Sequence, residues 1–187
     1  VNKIVYCWRQ NATNKKRRLS INLATAFFVP KPFTPFQWEK QTSPEEYLRR
    51  VHLLQSCLTA RGVDYRYHES DLSRLEAVLA RGDRRLSKVL LRAHELGCKL
   101  DGWDEYFRYD LWMQAFSDCG VDPEFYTTRG FAEDEILPWQ TIDIGVSRDF
   151  FLRERALAYQ SVTTPDCRTK CAGCGARSLS ERGVCDE

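Results

Sequence analysis

Apolar residues recur along this chain with helical and with strand-like periods, and each stretch predicts an element. Val1, Ile4, Val5 and Trp8 fall at helical intervals, as one face of an amphipathic helix requires. Residues 19 to 29 (LSINLATAFFV) form a mostly apolar run rich in β-formers, bounded by a basic stretch ahead and by Pro30-Lys31-Pro32 behind. That pattern predicts a strand buried on both faces. Ser43-Pro44-Glu45-Glu46 reads as a helix start, with Ser43 as cap, Pro44 at the first helical position and the Glu46 carboxylate placed to accept from the cap's own amide. Tyr47, Leu48, Val51, Leu54 and Leu58 repeat at helical spacing, Gly62 supplies a left-handed stop, and Val63 to Tyr67 alternate as a short strand.

Strand, capped helix, glycine and strand make one βαβ unit, whose crossover is long enough to join parallel strands. Two such strands leave open edges and uncovered apolar faces. The N-terminal third is therefore expected to be part of a larger α/β sheet or barrel, its other strands lying upstream or its edge built by oligomerisation. The middle turns helical. Asp71-Leu72-Ser73 opens a helix through Leu75, Val78 and Leu79 to Gly82, and Asp83 opens another through Leu86, Val89, Leu90 and Ala93 to Gly97. A third is predicted from Asp101-Gly102-Trp103 to Gly120. Its aromatic residues Trp103, Tyr106, Tyr109 and Trp112 are read as core, since aromatic residues at helical spacing are more often core than a ligand-stacking box. After Asp122-Pro123 comes a loop to Pro138-Trp139, then an apolar run from Ile142 to Val146, then a helix capped by Ser147 that runs to about Tyr159.

Composition changes this picture little. The chain has 187 residues, of which 43% are hydrophobic, enough for a substantial core. A net charge of +2 gives no support for a nucleic-acid footprint, which needs a concentrated basic face. The run Lys15-Lys16-Arg17-Arg18 lies beside Asn11, Thr13 and Asn14 and is read as a solvated loop in preference to a phosphate-binding patch. The chain begins at Val1 with its single methionine at Met113, which suggests a piece of something longer. No apolar stretch of about 18 residues and no charged-then-apolar leader occurs in it, so a cytoplasmic location is expected.

The cysteines carry the chemistry. Cys167, Cys171 and Cys174 are spaced Cys-x3-Cys-x2-Cys, and Cys185 follows within the last three residues. In a reducing compartment such a cluster binds metal more often than it forms disulfides. Thiolates on a short Gly-bearing turn can converge on Zn2+ or an iron-sulfur cluster without a large fold around them. Cys7, Cys57, Cys98 and Cys119 stand singly among apolar residues and read as ordinary buried thiols.

Four segments together carry a resemblance. They are Phe28-Val29-Pro30-Lys31-Pro32-Phe33-Thr34-Pro35-Phe36-Gln37-Trp38, Leu79-Ala80-Arg81-Gly82-Asp83-Arg84-Arg85, Leu137-Pro138-Trp139-Gln140-Thr141-Ile142-Asp143-Ile144-Gly145-Val146, and Thr164-Pro165-Asp166-Cys167-Arg168. In this order they resemble the C-terminal part of radical S-adenosylmethionine proteins, of the family that carries an N-terminal cobalamin-binding-like domain. The resemblance implies an α/β fold in which residues 1–69 are the last part of a partial (β/α) barrel, residues 70–160 a helical C-terminal region, and residues 161–187 a Cys-rich tail binding a metal or cluster. It also implies a catalytic [4Fe-4S] cluster that cleaves S-adenosylmethionine to a 5'-deoxyadenosyl radical. Barrel sites lie at the C-terminal ends of strands, which nominates Phe28, Pro30 and Lys31 as cofactor-binding residues after the first strand, and His68 and Glu69 after the second. Pro30-Lys31-Pro32 reads equally as a rigid strand exit. Adjacent His68 and Glu69 point to opposite faces of a strand and do not read as a proton-transfer pair.

The terminal cysteine spacing equals that of the family's catalytic loop, but that loop follows an early strand and usually carries an aromatic residue before its third cysteine. This chain has Gly173 there. The terminal cysteines are therefore assigned to an auxiliary [4Fe-4S] cluster or a structural Zn2+. Cys185 would complete a closed four-thiolate set; without it an iron-sulfur cluster with one open iron fits better. Two function classes follow. One is the C-terminal fragment of a radical S-adenosylmethionine enzyme, inactive alone, which needs the upstream barrel of the same polypeptide to hold S-adenosylmethionine and, where used, cobalamin. The other is a helical binding module with a zinc-knuckle tail, in which Arg168, Lys170, Arg177 and Arg182 contact RNA phosphates. No membrane partner is expected.

Overall fold

A computed structural model describes residues 1–14 and 16–176. Among them the chain is α/β, with helices α1 (Asn2–Asn11), α2 (Pro44–Cys57), α3 (Ser70–Arg81), α4 (Leu86–Leu96), α5 (Tyr109–Asp118) and α6 (Arg148–Tyr159), and strands β1 (Ile21–Thr25) and β2 (Val63–Tyr67). It divides into two compact units, residues 1–29 with 42–76, and residues 30–41 with 77–187. No helix of the described residues is long and apolar enough to cross a membrane.

The first unit is the strand-helix-strand pattern read from the sequence. β1 and β2 pair in parallel, with Ile21 opposite Val63 and Thr25 opposite Tyr67. Ser43 caps α2, its hydroxyl accepting from the Glu46 amide at 3.3 Å. The other half of the predicted capping box is not made, because the Glu46 carboxylate is taken by Arg49 and Arg50 one turn on, and these guanidiniums hold it at about 2. Phe27 stacks on Tyr47 at 4.3 Å, and with Val51 they form the core against which Tyr65 and Tyr67 pack.

Two expectations change here. β1 is five residues long and alternates half-buried with exposed positions, so it is not buried on both faces. The strand period puts Ile21, Leu23 and Thr25 with Val63, Tyr65 and Tyr67 on the face toward α2. Asn22, Ala24, Asp64 and Arg66 line the opposite, exposed face. Gly62 does not end α2, which stops at Cys57. Its backbone is left-handed with φ 83°, and a Cβ there would stand 2.4 Å from the Leu19 carbonyl oxygen. Glycine is needed at this turn because two chain segments approach too closely for any side chain, and the Gly62 carbonyl accepts from the Ile21 amide at 2.8 Å.

In the second unit, α4 ends on Gly97 in the left-handed conformation, and α6 begins on Ser147, whose hydroxyl accepts from the Phe150 amide at 3.2 Å. Both ends were legible in the sequence. α5 begins at Tyr109 and not near Trp103, where the spacing predicts it. Leu100 is left-handed, the amides of Trp103 and Tyr106 close three-residue turns, and Arg108 leaves helical geometry. Trp103 and Tyr106 consequently stay exposed, whereas Trp112 is core. One hydrophobic cluster of this unit is Trp38, Phe131, Leu137, Trp139 and Phe151.

Candidate functional site

Proline-rich segments cannot join a sheet ladder, so their buried polar groups are satisfied by turns and side chains. Residues 30 to 41 do this with tight turns, the Gln37 amide donating to the Thr34 carbonyl and the Glu39 amide to the Phe36 carbonyl. The buried Gln37 side-chain oxygen accepts from the Phe33 amide at 3.2 Å and from the Trp139 indole at 2.7 Å. That second bond joins residues 102 positions apart. The Gln140 side chain accepts from the Leu137 amide at 3.2 Å, which fixes the opposing turn. Phe131 donates its amide to the Trp38 carbonyl at 2.9 Å and meets Trp139 edge-on at 5.9 Å.

Between these turns and the start of α6 lies a cavity of about 230 Å³, with Phe33, Trp38, Trp139 and Phe151 among its walls and Glu135, Asp143 and Arg148 on its lining. Flat apolar walls with a few charged groups suit a ligand that combines an apolar or aromatic body with a polar end. The charged lining is held in place. The Asp143 carboxylate accepts from the Gly145 amide at 2.7 Å, Arg148 donates to the Glu133 carbonyl, and Glu135 takes a two-bonded fork from Arg129 at 2.8 and 3.0 Å. That fork holds the Glu135 carboxyl below its ordinary range.

The segment from Leu79 to Arg85 belongs to the same unit. Arg81 is 0% exposed, and its guanidinium lies 4.5 Å from the Phe131 ring centre. None of its three side-chain nitrogens has a hydrogen-bond partner among the described residues. Burial, then the like charge of Arg129, pushes it down to about 10, with Glu39 acting in the other direction. Arg129 stands 4.7 Å from the same ring. Three of the four resemblance segments thus contribute to one aromatic and cationic core from residue 33 onward.

The cysteine segment is docked and is not a loose tail over its described part. The Cys174 carbonyl accepts from the Ser147 amide at 2.8 Å, the Ala172 carbonyl accepts from Arg153, and Gly175 lies so close to Gly145 that a Cβ would meet its carbonyl oxygen at 2.9 Å. Within Cys171-Ala172-Gly173-Cys174 the Gly173 amide donates to the Cys171 sulfur at 3.4 Å, with Gly173 left-handed at φ 64°. Backbone amides aimed at sulfur are among the outer contacts of thiolate-held metal sites and clusters. This turn fits half of a thiolate site. Among the described residues no three His, Cys, Asp or Glu side chains form a group able to hold a metal. Cys167 is exposed on a separate turn built by Asp166, and Cys185 lies outside the described residues.

Of the nominated cofactor residues, Phe28 belongs to the first unit and is half-exposed, whereas Pro30, fully buried, and exposed Lys31 belong to the second. The Lys31 carbonyl accepts from the Thr34 hydroxyl at 2.8 Å. His68 and Glu69 follow β2 and are exposed; the His68 carbonyl accepts from the Tyr47 hydroxyl at 2.9 Å. The expectation of four buried single thiols is corrected, since Cys98 is buried but Cys119 is half-buried and Cys7 and Cys57 are exposed. α1 buries no residue, so its apolar spacing gave no shelter to Cys7. The walls of the aromatic cavity were not nominated from sequence. Their signal was the pairing of two turn-forming, Trp- and Gln-bearing loops, which only the fold brings together.

No protein family, curated protein or solved structure matches this chain.

Proposed function

We propose that this chain is the C-terminal part of a radical S-adenosylmethionine iron-sulfur protein, with β1, α2 and β2 closing a partial (β/α) barrel and the second unit forming a helical region with a Cys-rich tail. One observation carries the reading. The parallel pair β1–β2 is joined by the crossover helix α2, which covers one face and leaves the other, with Asn22, Ala24, Asp64 and Arg66, open, and a (β/α) barrel repeats that one-sided strand-helix-strand unit, with every helix on the outside. The resemblance segments support it, because three of them build one core in the second unit.

In this reading Cys171 and Cys174 supply two thiolates of an auxiliary cluster or a zinc site, joined by Cys167 and Cys185. The bound cluster would supply electron transfer or anchor a substrate; zinc would supply rigidity only. S-adenosylmethionine, and cobalamin where used, belong to the upstream part.

Two measurements test the proposal. Together with its upstream polypeptide, reduced without oxygen, the protein is expected to convert S-adenosylmethionine to 5'-deoxyadenosine, and this chain alone to form none. An upstream coding sequence with no cysteine loop, or no nucleoside product, would overturn it. Iron with matching sulfide in the oxygen-free chain, lost in Cys171→Ser, Cys174→Ser, assigns the tail to a cluster, and one equivalent of zinc assigns it to structure. Neither metal removes the tail from the proposal.

A further inference from the structure

The first unit contains a second cavity, of about 510 Å³, whose lining includes four arginines: Arg9 from the last turn of α1, Arg17 and Arg18 from the following loop, and Arg61 from the turn before β2. Trp8, Val5 and Leu19 supply an apolar floor. Among the described residues no carboxylate lines the cavity, and none of the four guanidiniums has an ion-pair partner. The convergence is built by the fold. The close approach of Gly62 to the Leu19 carbonyl fastens the turn that carries Arg61 onto the segment that carries Arg17 and Arg18.

Four like charges around one cavity repel each other unless an anion is present. Guanidiniums carry paired donors that match the oxygens of phosphate and carboxylate. An indole beside them offers a stacking surface for a planar base. The cavity lies where the chain enters β1 and β2, at the opposite ends of the strands from Phe28 and His68, so it is separate from any site at the strands' C-terminal ends.

We propose that the pocket of Arg9, Arg17, Arg18 and Arg61 binds a nucleotide phosphate, either free or within single-stranded RNA. Net charge conceals this site, because the cations are concentrated on one face of one unit while acids elsewhere balance the total. The inference does not depend on the radical-enzyme reading and stands or falls separately from it.

The test is fluorescence anisotropy of a labelled uridine decamer with the full chain, with ATP and inorganic phosphate as competitors. Binding is expected to weaken steeply with salt, and Arg17→Gln, Arg61→Gln to weaken it about tenfold or more and to lower the salt slope by about 1.4, two phosphate contacts at ~0.7 each. Lys40→Gln, Arg84→Gln, which removes the same charge from the other unit, is expected to leave binding within about twofold. Matched melting curves confirm that each variant is folded. A decamer that binds while ATP competes poorly assigns the site to RNA, and ATP competing at equal nucleotide concentration assigns it to a free nucleotide. No binding at low salt, or equal loss in both paired variants, overturns the proposal. So does inorganic phosphate competing as well as ATP with no effect of Trp8→Ala, because no base is then recognised.

Discussion

The arginines of the two regions live under opposite rules. Three arginines of the second unit are consumed internally. Arg155 bridges Glu39 and Glu133 at 2.6 Å, Arg129 forks Glu135 while stacking 4.1 Å from Phe125, and Arg85 holds Asp83. At the strand entrances of the first unit, Arg9, Arg17, Arg18 and Arg61 face a cavity with no acid among its described lining residues. Cations spent on neighbouring carboxylates and aromatic rings stabilise a fold, whereas cations gathered without partners cost stability and await a ligand. Arg81 lies between these cases. It is buried on the Phe131 ring with no hydrogen-bond acceptor among the described residues, so its burial costs desolvation that only the ring offsets.

The comparison breaks first at Arg155. Its side chain is 21% exposed and serves two carboxylates, one of them, on Glu39, at 22%. Arg155→Leu strands Glu39 half-buried without its cation and is expected to cost about 2–3 kcal/mol, read by urea unfolding. A loss under about 0.5 kcal/mol would mean that the second unit does not rely on its ion pairs.

A smaller effect is expected at Arg129, whose pair with Glu135 is more exposed. Arg129→Gln should cost up to about 1 kcal/mol and move Glu135 back toward its ordinary value of 4.5. The sign follows from linkage. A carboxyl held low in the folded state contributes stability that is fully present above its unfolded pKa and is lost as pH falls through the folded one. The difference between wild type and variant should therefore shrink below about pH 4, and a carboxyl NMR titration of Glu135 that does not move in the variant would refute the assignment.

The smallest effect belongs to the unpaired group. Arg17→Gln is expected to change stability by no more than about 0.5 kcal/mol, in the direction of a gain that fades with added salt. A loss of about 1 kcal/mol or more would show that Arg17 has an internal partner and would remove the contrast between the regions.

Local features were readable wherever a few consecutive residues satisfy each other. The Ser43 and Ser147 caps, the stops at Gly97 and Gly120 and the strand Val63–Tyr67 all fall where spacing alone places them. Sequence and structure part where a local signal has two solutions. Gly62 could end a helix or admit a close backbone approach, and the approach of Leu19 selected the second. The Glu46 carboxylate could cap or pair, and two arginines one turn away drew it off. Trp103 kept helical spacing with the residues that follow, yet the left-handed Leu100 and the non-helical Arg108 broke the helix before it could be buried.

Sequence by itself determined the helix caps, the parallel strand-helix-strand unit and the cysteine turn, since hydrogen bonds between near neighbours and a two- or 3.6-residue period need no distant partner. Tertiary structure alone decided the two cavities. Gln37 meets Trp139 across 102 positions, and Arg61 joins Arg9 only after β2 has paired with β1. Such convergence depends on chain closure over long loops, and neither composition nor periodicity contains it.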